Sequence, residues 1–166
     1  MKLGEYKSFL QFVKERTPEL KNLDIQVTKG DQFSTEKISD YFVIDTIDKL
    51  NDTLNVFTCM YFENKINQYI YWFNRDYNEA FVLLHEIGHI ITRNLYNNND
   101  LIQEYNSLKE TTYNSTYEAF TANRMLPCEV LADNFAIEFT NKYFYELVEY
   151  FTGMDKVKAD EFLEIF

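Results

Sequence analysis

Asn78-Glu79-Ala80-Phe81-Val82-Leu83-Leu84-His85-Glu86-Ile87-Gly88-His89-Ile90-Ile91-Thr92 is the stretch on which the reading of this chain turns. Ala80, Phe81, Leu84, Ile87 with Gly88, and Ile91 recur at helical spacing. Val82, Leu83 and Ile90 carry the apolar surface almost all the way round, so the helix belongs in a core. Asn74 or Asp76 suits its start, and the run Asn97-Asn98-Asn99 suits its end. Gly88 in mid-helix costs about 1 kcal/mol relative to Ala. A small residue there makes sense if a strand or a metal site approaches closely. The polar set His85, Glu86 and His89 is expensive to bury on so apolar a helix unless it is used.

Working outward, His85-Glu86-Ile87-Gly88-His89 is an H-E-x-x-H motif and holds both histidines of the chain. Residues four apart share a helix face, so both imidazoles can reach one ion. Two neutral imidazole nitrogens suit Zn²⁺ in a tetrahedral site. Glu86, one residue past the first ligand, can reach a water on the metal without binding the metal, which is the position of a general base. A third ligand is needed, and no third histidine exists. The candidate is Glu129 in Pro127-Cys128-Glu129-Val130-Leu131-Ala132-Asp133-Asn134-Phe135-Ala136. Pro127 fits the first turn of a helix. Val130, Ala132, Phe135, Ala136 and Phe139 give that helix an apolar side. Glu129 and Asp133, four apart, share a face. One carboxylate can complete a His₂Glu site while the other orients a histidine ligand from behind. Taken alone, Glu129 would read as a solvated acid at a helix N-terminus.

The pairing of H-E-[IL]-G-H with E-x-x-A-[ND]-x-F-A resembles the ImmA/IrrE family of small zinc metallopeptidases. The second element is matched by Glu129, Ala132, Asp133, Phe135 and Ala136, and the resemblance covers roughly residues 54 to 140. It implies that His85, His89 and Glu129 bind one Zn²⁺ and that Glu86 is the catalytic base. It also implies a setting on phages or other mobile DNA and a transcriptional repressor as the protein acted upon. Two features depart from the family. The second motif runs on as Ile137-Glu138-Phe139-Thr140-Asn141-Lys142-Tyr143 where the family often has a short apolar run ending Met-Pro, and the 90–128 insertion is long. That insertion, rich in Asn, Thr and Tyr, is expected to form a helix or lid beside the cleft.

At 166 residues the chain is expected to form one domain, residues 1–166, large enough to bury a core without staples. No stretch reaches 18 uninterrupted apolar residues, so no membrane span is expected. The segment from Met1 leads into an amphipathic helix and not a signal peptide, since Glu5, Lys7 and Lys14 interrupt any apolar run. A cytoplasmic protein with reduced Cys59 and Cys128 follows as the default. Cys128, about 100° round the helix from Glu129, reads as a small buried hydrophobe and not as a ligand. The net charge of −11 argues against direct binding to nucleic acid, which needs a basic surface. An acidic surface can instead steer a basic partner, such as a DNA-binding repressor. Oligomeric state is left open.

Elsewhere, residues 3–16 read as a helix, Leu23–Val27 alternates like a strand, Lys29-Gly30-Asp31 looks like a turn, and Tyr41–Asp45 suits strand or helix. Leu54–Phe62 and Gln68–Phe73, β-branched and aromatic, predict a hairpin looped through residues 63–67, with Phe73 ending a strand that can hold a peptide by strand addition. Residues 99–110 and 116–125 look helical, the Glu129 helix is expected to continue to about Phe151 with Thr152-Gly153 closing it, and residues 154–166 form a last short helix. The expected fold is α+β and zincin-like: a small antiparallel or mixed sheet packed against the H-E-x-x-H helix and the glutamate-ligand helix. The leading expectation is a zinc endopeptidase, with Tyr113, Tyr117 or Arg124 helping zinc to stabilise the oxyanion. The competing one is a non-hydrolytic zinc-binding interaction module, an antirepressor or toxin–antitoxin component.

Overall fold

The computed structural model describes residues 1–63, 65–66, 69–74 and 77–165, without the side chains of residues 71 and 72. In chain order its elements are α1 (Leu3–Arg16), a 3-10 turn (Pro18–Leu20), β1 (Ile25–Lys29), β2 (Ser34–Ile38), β3 (Tyr41–Thr46), α2 (Asp52–Phe62), α3 (Ile70–Phe73), α4 (Tyr77–Thr92), α5 (Asn98–Glu110), α6 (Thr116–Arg124), α7 (Pro127–Lys142), α8 (Phe144–Thr152) and α9 (Lys156–Glu164). The class is α+β with a small mixed sheet in the order β1-β3-β2. β1 runs parallel to β3 with Val27 opposite Ile44, and β2 runs antiparallel to β3 with Thr35 opposite the same Ile44. Ser39, at positive φ, turns the β2–β3 hairpin.

The apolar periodicity of α4 becomes burial on all sides. Ala80, Phe81, Leu83, Leu84, Ile87 and Ile90 are all buried. α7 lies against it, and Gly88 is the reason the two can touch. A Cβ added at Gly88 would stand 2.7 Å from the Ala132 carbonyl oxygen and 2.8 Å from the Ala132 Cα. The close neighbour expected at Gly88 is therefore the backbone of α7, not a strand. The Tyr77 and Thr140 hydroxyls, 2.6 Å apart and buried, pin the other end of the pair. One core cluster runs from Tyr6, Phe9 and Val13 of α1 through Val27, Phe42 and Ile44 of the sheet to α4, Phe139, Leu147 and Ala159.

Several expectations need correction. Leu54–Phe62 is not a strand but lies in α2, and Ile70–Phe73 is a single helical turn; Gln68 lies outside the described residues. Asn51 caps α2, its side chain accepting from Leu54 N at 2.8 Å. Leu54, Phe57, Thr58, Tyr61 and Phe62 then follow at helical spacing, with Thr58 and Phe62 buried and the Phe62 ring 4.6 Å from that of Phe81. A strand preference measured on single residues yields to such packing. The sheet comes instead from residues 25–46, so no strand ends at Phe73. The asparagine run does not close α4, which stops at Thr92; Asn97 instead caps α5, accepting from Asn99 N at 2.8 Å. Of the two residues expected at the start of α4, Asn74 accepts through its carbonyl from Tyr77 N at 3.3 Å, and Asp76 lies outside the described residues. The Glu129 helix breaks at Tyr143, where the chain leaves helical geometry and the phenol donates to Arg16 O at 3.1 Å, before α8 resumes toward Gly153 at positive φ.

Candidate metal centre

α4 presents His85 and His89 toward α7, which presents Glu129 and Asp133 back, while Glu86 meets Thr35 of β2. Close approach at Gly88 brings the two sets together. One ligand atom each from His85, His89 and Glu129 lie within 4.8 Å of one another, so the three form a group that can hold a metal ion. His85 Nε2 lies 3.1 Å from Glu129 Oε2, and His89 Nε2 lies 3.5 Å from Glu129 Oε1. The donor set passes a chemical test of fit for a divalent ion. It has two imidazoles and a carboxylate, with His85 and Glu129 buried and His89 half-buried, and His85 is held from behind. His85 Nδ1 is 2.8 Å from Asp133 Oδ1. If Asp133 accepts the Nδ1 proton, Nε2 is left free for an ion.

Arg124, at the end of α6, completes the electrostatics. Its Nη2 donates to Asp133 Oδ1 at 2.6 Å, its Nε to Asp133 Oδ2 at 3.1 Å, and it lies 3.0 Å from Glu129 Oε2. Burial opposes its charge, but Asp133 and Glu129 outweigh burial and hold it cationic. Burial would depress His85 too, yet its hydrogen bonds to Asp133 and Glu129 win and raise its pKa to about 9. His89 has only the more distant Glu129 Oε1, at 3.5 Å. Burial, then the neighbouring His85 charge, lower it to about 4. Burial tends to raise Glu129, but His85 and Arg124 hold it well below the usual carboxylate range. Glu86 goes the other way, raised mainly by burial.

Two residues that the sequence reading missed lie at this centre. Thr35 of β2 donates its hydroxyl to Glu86 Oε2 at 2.6 Å and lies 3.2 Å from the Glu86 carbonyl oxygen. Tyr105 of α5 donates to Glu129 Oε1 at 2.6 Å. The weak clue to Tyr105 was its place in the row Leu101, Tyr105, Leu108 of the insertion. Thr35 gave none, because Ser34–Ile38 is polar and short. Of the three residues expected to aid an oxyanion, Arg124 lines the recess beside His85. Tyr117 packs on the Phe57 and Phe120 rings, and neither it nor Tyr113 lines that recess. Cys128 is buried beside Glu129, and burial raises its thiol to about 11, in keeping with a small hydrophobe.

The centre lies where two recesses meet. One, about 610 Å³, is walled by Leu50, Leu54, Phe62, Phe81 and Phe120 and reaches Arg124. The other, about 540 Å³, follows Ser34, Thr35 and Lys37 of β2 past His89 to Arg93 and Tyr96. Among the described residues no helix is long and apolar enough to cross a membrane.

The chain matches no family model, no curated protein and no solved structure.

Proposed function

We propose that the chain is a zinc-dependent endopeptidase with a zincin-like arrangement, as its resemblance to the ImmA/IrrE family implies. One observation carries this reading: a buried carboxylate, Glu86, that is not one of the three metal-holding groups, sits beside them and is oriented by Thr35. A purely structural metal site has no use for such a group. His85, His89 and Glu129 would hold the zinc. When bound, the ion supplies Lewis-acid activation of water and of the scissile carbonyl.

The protein's own groups do the rest. Glu86, its carboxylate raised by burial, accepts a proton from the attacking water and returns it to the leaving amine. Thr35 keeps the carboxylate aimed while the base is ionised. Arg124, held cationic by Asp133 and Glu129 beside the ligands, would donate to the developing oxyanion. Asp133 anchors His85 and Arg124 together. β2 takes the part expected of the strand at Phe73: it is an outer strand of the sheet, so an extended peptide can pair with it across the metal. By resemblance the substrate is a DNA-binding repressor in the same cytoplasm, on a phage or other mobile element. The −11 charge suits a basic partner.

The test is digestion of a degenerate peptide pool by the zinc-loaded protein, read by mass spectrometry, with Glu86→Gln as control. The variant should keep zinc and lose activity by about 10²- to 10⁴-fold. Equal product from both proteins would remove Glu86 as the base. Full zinc occupancy with no product at all would favour a non-hydrolytic module.

A further inference from the structure

The recess that follows β2 differs in charge from the rest of the chain. The protein has 27 acidic side chains against 16 basic ones. Yet among the described residues the only acids lining this recess are Glu86 and Glu129, both already engaged at the candidate metal centre. The Lys and Arg side chains that line it among the described residues are Lys37 and Arg93. Neither forms an ion pair among the described residues. They flank one ring. Lys37 stands opposite Phe42 in the β2–β3 register, and the Arg93 guanidinium lies 5.1 Å from the Phe42 ring centre. Arg93 is also tied back by a hydrogen bond to Ile90 O, which fixes its position at the end of α4. Lys37 is exposed and Arg93 half-buried, so both remain open to a ligand.

We propose that this half of the cleft is a subsite for an acidic side chain of the bound peptide. The inference rests on the peptidase reading and deepens it by naming what the substrate must carry. Strand geometry places the acid. Thr35 marks the level of Glu86, and Lys37 lies two residues further along β2 on the same face. A peptide paired with β2 advances about 3.3 Å per residue, so its acidic side chain falls about two residues from the bond at the metal. Asn94, Asn98 and Tyr96 line the same recess and offer further polar groups to a carboxylate. The overall negative charge still repels acidic proteins at long range. Selection here is local: an acidic residue within a segment of a partner that is otherwise neutral or basic.

The probe is a pair of fluorescein-labelled nonapeptides with a central Leu. One carries Glu two residues to either side of the centre, and the other carries Lys there. Binding to zinc-loaded Glu86→Gln protein is read by fluorescence anisotropy at low salt. The Glu peptide should bind about 10-fold more tightly, the effect of swapping attraction for repulsion at two partly exposed cations. The preference should shrink as salt rises, and Lys37→Glu, an exposed change that spares the core, should abolish or invert it. Equal affinities, tighter binding of the Lys peptide, no binding of either, or a preference unmoved by Lys37→Glu would overturn the proposal. Hydrolysis by the wild-type protein is followed in parallel. A preference for the Glu peptide without any cut leaves the subsite standing and counts only against the peptidase.

Discussion

Replacing Gly88 by alanine tests how the metal centre is assembled. On helix propensity alone the change should help, since Gly is about 1 kcal/mol worse than Ala inside a helix. The packing reverses the sign. The new methyl would sit 2.7 Å from Ala132 O and 2.8 Å from Ala132 Cα, where ordinary contact begins at 3.4 Å. Both atoms are backbone of α7, so no side chain can swing aside; the two helices must separate by several tenths of an ångström. Overpacking of this kind costs about 1–3 kcal/mol, which at least cancels the propensity gain and leaves a net loss of up to about 2 kcal/mol. The same separation draws Glu129 away from His85 and His89, so zinc affinity should fall together with stability. Urea denaturation of the metal-free proteins and zinc competition against a chromophoric chelator read the two effects separately. A Gly88→Ala protein that is more stable than wild type and binds zinc as tightly would refute the claim that this contact sets the ligand geometry.

Four further outcomes follow. His85→Ala should lose most zinc affinity, because His89 and Glu129 alone hold an ion poorly; atomic absorption showing unchanged zinc content would contradict the ligand set. Asp133→Ala should weaken zinc binding by about 10- to 100-fold through loss of the group that orients His85; a chelator titration indistinguishable from wild type would show that Asp133 serves only Arg124. At pH 7 the metal-free protein carries a proton on His85, raised to about 9, and none on His89, lowered to about 4. Zinc needs both neutral, so its uptake should release about one proton at pH 7 and progressively fewer above pH 9. Calorimetry in buffers of different ionisation enthalpy measures this. By the same sign, the raised pKa of His85 stabilises the metal-free fold most fully below its unperturbed value of 6.5, and that contribution is lost as pH rises through about 9. Urea midpoints of metal-free protein that rise between pH 6.5 and 9.5, with His85→Ala unchanged, would contradict it.

The grouping of His85, His89, Glu129 and Asp133 that could hold a metal was legible because its information is local. His85 and His89 are one turn apart, Glu129 and Asp133 one turn apart, and helical geometry places each pair on a face without knowledge of the fold. The sheet was harder. β1 and β3 alternate apolar and polar residues, but β2, Ser34–Ile38, is half-exposed or exposed throughout and is held by backbone pairing to β3, which leaves little pattern in its side chains. With β2 unseen, Thr35 could not be placed beside Glu86, nor Lys37 in the same recess. Residues 54–62 carried two signals at once: β-branched and aromatic content, and apolar spacing that also fits a helix. The Asn51 cap and the contact of Phe62 with Phe81 favour the helix, and the second of these is long-range. Tyr105 reaches Glu129 from a separate helix across the 90–128 insertion, a juxtaposition that only tertiary packing creates.

The most direct measurement is anomalous scattering from crystals of the zinc-loaded protein at the zinc absorption edge. The account predicts one zinc peak bound by His85 Nε2, His89 Nε2 and a Glu129 carboxylate oxygen at about 2.0–2.2 Å, with no fourth protein ligand and with Glu86 beside the open position but not bound to the ion. A peak elsewhere, or a fourth side chain such as Cys128 or Glu86 closing the coordination sphere, would contradict it.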